Sequence, residues 1–146
     1  MRYLKFIVLA IVLFSCGNKT NEKATNEILA LLDSAVEEKK DTFQLGRLNL
    51  NANWDSLLIV PPYTVLRKVK YSKKIDVEVL KETEIEFRDD ICVIAFLRED
   101  KIVCYAEINR KYDFSYLSST KLYSKSNIFR IVADPLTKSR HVIKEK

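Results

Sequence analysis

The 146-residue sequence predicts an α+β domain: an N-terminal helix and short helices packed on a mostly antiparallel sheet of about five strands. Three observations carry this expectation. Ile28, Leu29, Leu32, Ala35 and Val36 fall on one stripe at three- and four-residue spacing, the signature of an amphipathic helix. Ile91 to Leu97 is apolar throughout, as a strand covered on both faces requires. Shorter apolar runs separated by turn residues follow in hairpin order. A composition 47% hydrophobic and 31% charged is that of a globular chain, and only two Gly and three Pro leave little room for linkers.

The elements follow in order. Thr25 or Asn26 is placed to cap a helix over 27–40, with Glu27 in its first turn and Lys39-Lys40 in its last, as the helix dipole favours. Thr42 to Leu50 and Trp54 to Val60 read as two strands joined by Asn51-Ala52-Asn53, the second ended by Pro61-Pro62. Thr64 then caps a short helix over 65–71, and Asp76 another over 77–82. After the central strand, Glu99-Asp100 makes a tight turn and Lys101 to Arg110 returns antiparallel. Ser115 to Ser126 is rich in Ser and Lys and is expected to be irregular. Asn127 to Ala133 gives the last strand, stopped by Asp134-Pro135, and the charged tail from Thr137 is expected to fray.

Cys92 and Cys104 sit on the two strands of the central hairpin. If Arg98 faces Lys101, Cys92 lies opposite Glu107 and Cys104 opposite Ala95, so the two thiols point to opposite faces. A shift of one residue puts both on one face but still not opposite each other. A bridge needs Cβ atoms about 3.5 to 4.5 Å apart, so both are expected as buried free thiols.

The amino terminus has its own logic. Arg2 and Lys5 precede an unbroken apolar run from Phe6 to Phe14. Nine helical residues reach only ~14 Å, under half of a ~30 Å hydrocarbon core, so the run suits a signal peptide rather than a permanent span. Leu13-Phe14-Ser15-Cys16 resembles the lipobox of bacterial lipoprotein precursors: an aliphatic residue, a tolerant position, a small residue, then Cys. That resemblance implies a signal peptide over 1–15, diacylglycerol and palmitate-type acylation on Cys16, and a lipidated tether over 16–24 before a single domain over 25–146. By the same resemblance Gly17, which is not Asp, implies the outer membrane, and the lack of an acidic run after Cys16 implies an orientation facing the periplasm. The same run also fits an ordinary cleaved signal peptide with an incidental cysteine, or a cytosolic protein with an apolar start.

The mature domain is nearly charge-balanced. Two of the 25 basic residues lie in the leader, leaving 23 against 20 acidic, and nucleic acid is not an expected partner. Arg67 to Lys74 carries a cluster of cations able to touch anionic lipid headgroups, but Asp76, Glu78, Glu82, Glu84 and Glu86 follow closely. No HExxH, CxxC, Gly-rich phosphate loop or GxSxG occurs. His141, the single histidine, falls in the tail, so neither a catalytic triad nor a zinc site is expected, and no metal or other cofactor. Asp89-Asp90 and Glu99-Asp100 flank the central strand as turn residues or, for a carboxylate-based hydrolase, as a catalytic pair.

Trp54-Asp55-Ser56-Leu57-Leu58-Ile59-Val60-Pro61-Pro62-Tyr63 resembles a Trp-Asp-x-Leu-x-Ile-x-x-Pro-Tyr segment of small bacterial envelope lipoproteins. Trp54 and Tyr63 are therefore candidates for a binding surface as well as for the core. The expectation is a non-enzymatic envelope lipoprotein that binds a partner protein, peptide or envelope component. Its rivals are a periplasmic inhibitor or immunity-type lipoprotein and the carboxylate hydrolase.

Overall fold

The computed structural model describes residues 21–40, 42–69, 74–137 and 139–145. The expected leader over 1–15, and Cys16 with it, lies outside the described residues. Among those described, helix α1 (residues 21–37) accompanies eight strands. These are β1 (Thr42–Phe43), β2 (Ser56–Val60), β3 (Ile91–Arg98), β4 (Lys101–Asn109), β5 (Tyr112–Asp113), β6 (Leu122–Ser124), β7 (Phe129–Ala133) and β8 (Arg140–Lys144). They form two four-stranded sheets, ordered β4-β3-β2-β6 and β1-β7-β8-β5. The α+β class holds, but one sheet of about five strands is replaced by two of four.

The first sheet is antiparallel throughout and covered on both faces. Alternation along the strands assigns each side chain to a face. Leu57 and Ile59 of β2, with Cys92, Ile94 and Phe96 of β3, enter a large core shared with Ala24, Ile28 and Leu32 of α1 and with Phe129 and Val142 of the second sheet. Leu58 and Val60, with Val93, Ala95 and Leu97, meet Leu66, Ile75, Leu80 and Ile85 from the long connection between β2 and β3. The uninterrupted apolar run of β3 follows directly from this double burial. The connection carries 3-10 helices at Leu66–Lys68 and Glu78–Thr83 where short helices over 65–71 and 77–82 were expected.

The β3–β4 hairpin corrects the expected register. Arg98 does face Lys101, but a bulge follows: Leu97 pairs with Ile102 and Phe96 with Cys104. The extra residue is Val103, which is exposed. Past it Cys92 faces Ile108, so Cys92 and Cys104 share one core, four residues apart along the ladder, and both thiols are free and buried. Burial raises both thiol pKa values, that of Cys104 to about 11.

The free edge of β4 is closed by the first turns of α1. The Tyr105 N–H donates to Asn21 Oδ1 at 3.0 Å, and the Glu107 N–H to Thr25 Oγ1 at 3.2 Å. Asp76 pairs with Lys101 as an isolated bridge further along. These contacts occupy edge groups that otherwise template pairing with another chain. They also show why helix is present from residue 21 rather than starting after a tether that reaches residue 24. Ala24, one turn before Ile28, is fully buried and continues the apolar stripe.

Other expectations change for identifiable reasons. The expected strand over 42–50 is two residues of β1 followed by a 3-10 turn at Leu45–Arg47. There the Gly46 backbone lies against Lys125: a Cβ at position 46 would sit 2.2 Å from the Lys125 carbonyl oxygen. β1 pairs with β7 in one sheet and β2 with β3 and β6 in the other, so β1 and β2 are not a hairpin. The Ser- and Lys-rich loop contains β6, an edge strand paired with β2. The tail expected to fray is β8, antiparallel to β7 and parallel to β5, with Val142 fully buried.

Candidate functional site

Trp54 and Tyr63 lie at opposite ends of β2 and are not brought together. Trp54 is 3% exposed and packs edge-on against Phe96, with ring centroids 4.9 Å apart, while Lys125 Nζ sits 4.6 Å from its ring centre. It is a core residue. Tyr63 is 59% exposed and has a left-handed φ of 59°. Its N–H donates to the carbonyl oxygens of Ile85 and Arg88, at 2.9 and 3.3 Å. Those two acceptors bracket Phe87, which is 82% exposed. Phe87 stands among charges, in Glu86-Phe87-Arg88-Asp89, so no apolar pattern in the sequence marks it.

Phe87 is presented by a braced turn. Glu84 takes a φ of 54°, and its carbonyl accepts the Phe87 N–H at 2.8 Å. The Leu66 N–H donates to Glu86 Oε1 at 2.7 Å, which fastens the segment carrying Tyr63, Arg67 and Lys68 to the one carrying Phe87. Arg88 holds Asp90 through two nitrogens, at 2.6 and 2.8 Å, and reaches Glu107 at 3.0 Å. The hydrogen bond from Arg88 keeps the Asp90 carboxyl below its ordinary range.

A second constellation surrounds His141 on β8. Its Nδ1 lies 3.1 Å from Asp113 Oδ2, its Nε2 3.1 Å from Ser139 Oγ, and the Tyr116 ring stands edge-on to the imidazole at 4.8 Å. The order Asp–His–Ser is that of an acyl-transfer triad: a neutral imidazole donating to Asp113 would accept the Ser139 hydroxyl proton. Such a triad also needs N–H groups free to bind an oxyanion. Here the N–H groups of Leu136 and Thr137 serve Asp134, that of Ser139 serves Thr137 Oγ1, and that of Asp134 serves the Ser139 carbonyl. These four donors of the described loop residues are engaged within the loop's own turn. The Ser139 hydroxyl is also 2.6 Å from Thr137 Oγ1. The arrangement pins the β7–β8 loop to β5. Burial opposes the ionisation of Asp113, yet hydrogen bonds from Ser115 and His141 outweigh it and lower its pKa.

Next to this pin, Asp33 of α1 accepts from Lys111 Nζ and from the Tyr112 hydroxyl, each at 2.5 Å. The Tyr112 ring is fully buried, with Lys111 and Arg140 over it. Burial and the Asp33 carboxylate push its hydroxyl up to about 12.

The carboxylates do not form a catalytic pair across β3. Asp89-Asp90 precede the strand and Glu99-Asp100 follow it, about 30 Å apart at ~3.3 Å per residue, against the ~5 to 9 Å that glycosidase chemistry uses. Glu99 instead takes a φ of 60° at the hairpin turn, its N–H held by Asp55 Oδ2 at 2.7 Å. Among the described residues no group of three or more His, Cys, Asp or Glu side chains is placed to hold a metal, and no helix is long and apolar enough to cross a membrane. Comparison of the chain with protein families, curated proteins and solved structures finds no match.

Proposed function

We propose that this chain is a bacterial lipoprotein, anchored through Cys16 to an envelope membrane, which works by binding a partner protein, peptide or envelope component rather than by catalysis. One observation carries the anchor: Leu13-Phe14-Ser15-Cys16 stands at the end of a nine-residue apolar run preceded by Arg2 and Lys5. Lipid on Cys16 contributes about 0.8 kcal/mol per buried methylene, and the two or more chains of a lipoprotein make the attachment stable. Resemblance supports an outer-membrane site through Gly17, and an orientation facing the periplasm through the lack of an acidic run after Cys16. Support for binding over catalysis comes from the spent N–H donors around Ser139 and from the separation of the carboxylates by the length of β3.

The anchor is tested by Cys16→Ser. The wild-type chain fractionates with membranes and gains the mass of its lipid, whereas the variant keeps its unmodified mass and leaves the membrane fraction. A Cys16→Ser protein that stays with the membrane ends this reading.

A further inference from the structure

Two exposed aromatic residues lie on one braced unit, and hydrogen bonds connect that unit to the first turns of α1. Thr25, in the first turns of α1, binds the Glu107 backbone; the Glu107 carboxylate binds Arg88; and Arg88 adjoins Phe87. Two hydrogen bonds and one peptide step therefore join the start of the described helix to Phe87, the most exposed aromatic among the described residues. Five residues carry the chain from Cys16 to Asn21, and at ~3.6 Å each they span at most about 18 Å whatever their conformation. An anchored Cys16 thus keeps the first turn of α1 within that distance of the headgroups. The edge of β4 and the Phe87 turn are held near the surface with it.

We propose that the surface bearing Tyr63 and Phe87 rests on the bilayer that holds Cys16, with Phe87 entering the headgroup region and Arg67 and Lys68 lying on lipid phosphates. The inference rests on the anchor proposed above and adds a fixed orientation to it. Aromatic rings flanked by cations favour the membrane–water interface, where an apolar body and a polar rim are both satisfied. Glu84 and Asp89 are exposed beside Phe87, so net charge supplies little of the attraction and the rings supply most. A mixed phosphatidylethanolamine and phosphatidylglycerol surface fits this balance better than a strongly anionic one.

The far end of α1 from Asn21 supplies a control. Leu136 is 91% exposed on the β7–β8 loop, which joins the rest of the fold beside Asp113 and Tyr112. Tyr112 bonds to Asp33, and α1 rises about 18 Å between Asn21 and Asp33. A solvent-exposed leucine on that loop points to no membrane under the proposed orientation.

The test uses the full, lipidated chain in vesicles of phosphatidylethanolamine and phosphatidylglycerol with brominated acyl chains. Phe87→Trp and Leu136→Trp are compared with the wild type, whose buried Trp54 sets the baseline emission. Both positions are exposed, so neither change threatens folding. The expected result is loss of most of the added emission at position 87 and little loss at 136. Protein that floats with the vesicles but keeps its emission at 87, or loses it equally at both positions, overturns the orientation and leaves the anchor standing. Protein that does not float and carries an unmodified Cys16 overturns both.

Discussion

The two sheets differ in how they are held. In the sheet ordered β4-β3-β2-β6, both faces are dry, and seven successive residues of β3 are buried. In the sheet ordered β1-β7-β8-β5, one face packs on the core through Phe129 and Val142, while the other carries Val132, Arg130 and the His141–Asp113 pair. The first is fastened by apolar burial, the second by burial on one side and hydrogen bonds at its rim. The difference locates stability in one sheet and sensitivity to solution conditions in the other.

The largest effect that separates them is a cavity in the dry sheet. Phe96 is fully buried in the core that the sheet shares with α1, where the Trp54 ring meets it edge-on. Phe96→Ala is expected to cost about 3–5 kcal/mol, while Val132→Ala on the open face of the other sheet costs under about 0.5 kcal/mol. Urea unfolding of the two variants checks this, and equal shifts in midpoint would dissolve the contrast.

The same difference explains what could be read beforehand. Ile91 to Leu97 announces double burial because no residue in it is polar, and Arg98-Glu99-Asp100-Lys101 announces the turn. The bulge at Val103 is invisible in the sequence: an apolar residue there looks like one more core position, yet the added residue moves Cys92 and Cys104 onto one face. The second sheet was hardly legible. β1 and β5 are two residues long, and their pairings join positions far apart in the chain, Thr42 with Arg130 and Asp113 with His141. The strand signal of β8 is weak because charges flank Val142-Ile143, and only that β-branched pair carries it. Trp54 and Tyr63 were singled out as a pair by motif, but the strand between them separates them, and the aromatic neighbour of Tyr63 is Phe87 through backbone bonds that no local pattern encodes.

An intermediate effect comes from pH: the acid limb belongs to carboxylates at the rim of the second sheet, the alkaline limb to two thiols of the first sheet and Tyr112 of the second. Asp33, Asp113 and Asp134 hold depressed pKa values at the rim of the second sheet: Asp33 through Lys111 and then Tyr112, Asp113 through Ser115 and His141 against opposing burial, and Asp134 through the Leu136 N–H and then Thr137. Their unfolded forms titrate near 3.9, so their contribution is complete above about pH 4 to 5 and is lost as pH falls through the depressed folded values. Cys92, Cys104 and Tyr112 have raised values, with burial the first cause. Their unfolded forms titrate at about 8.5 and 10, so their contribution is complete below that range and is lost as pH rises toward 11 and 12. A thermal-melt series should show a plateau between about pH 5 and 8. Asp113→Asn should flatten the acid limb and Cys92→Ala the alkaline one, each leaving the other limb in place.

The smallest expected effect concerns the constellation that most resembles an active site. Ser139, His141 and Asp113 have the distances of a triad, but the neighbouring N–H groups of Asp134, Leu136, Thr137 and Ser139 are all engaged within the loop. A tetrahedral intermediate at Ser139 would therefore form without the electrostatic stabilisation that a single oxyanion donor provides, a factor of about 10² to 10³ in rate. Fluorophosphonate probes, which need both an activated hydroxyl and room for the tetrahedral adduct, should leave Ser139 unlabelled by mass spectrometry. Ser139→Ala should lower stability by no more than about 1 kcal/mol, the worth of one ordinary hydrogen bond. Stoichiometric labelling of Ser139, abolished by His141→Gln, would turn the rim of the second sheet from a fastening into a catalytic centre. It would then be the dry sheet that serves as scaffold and the polar one that does chemistry.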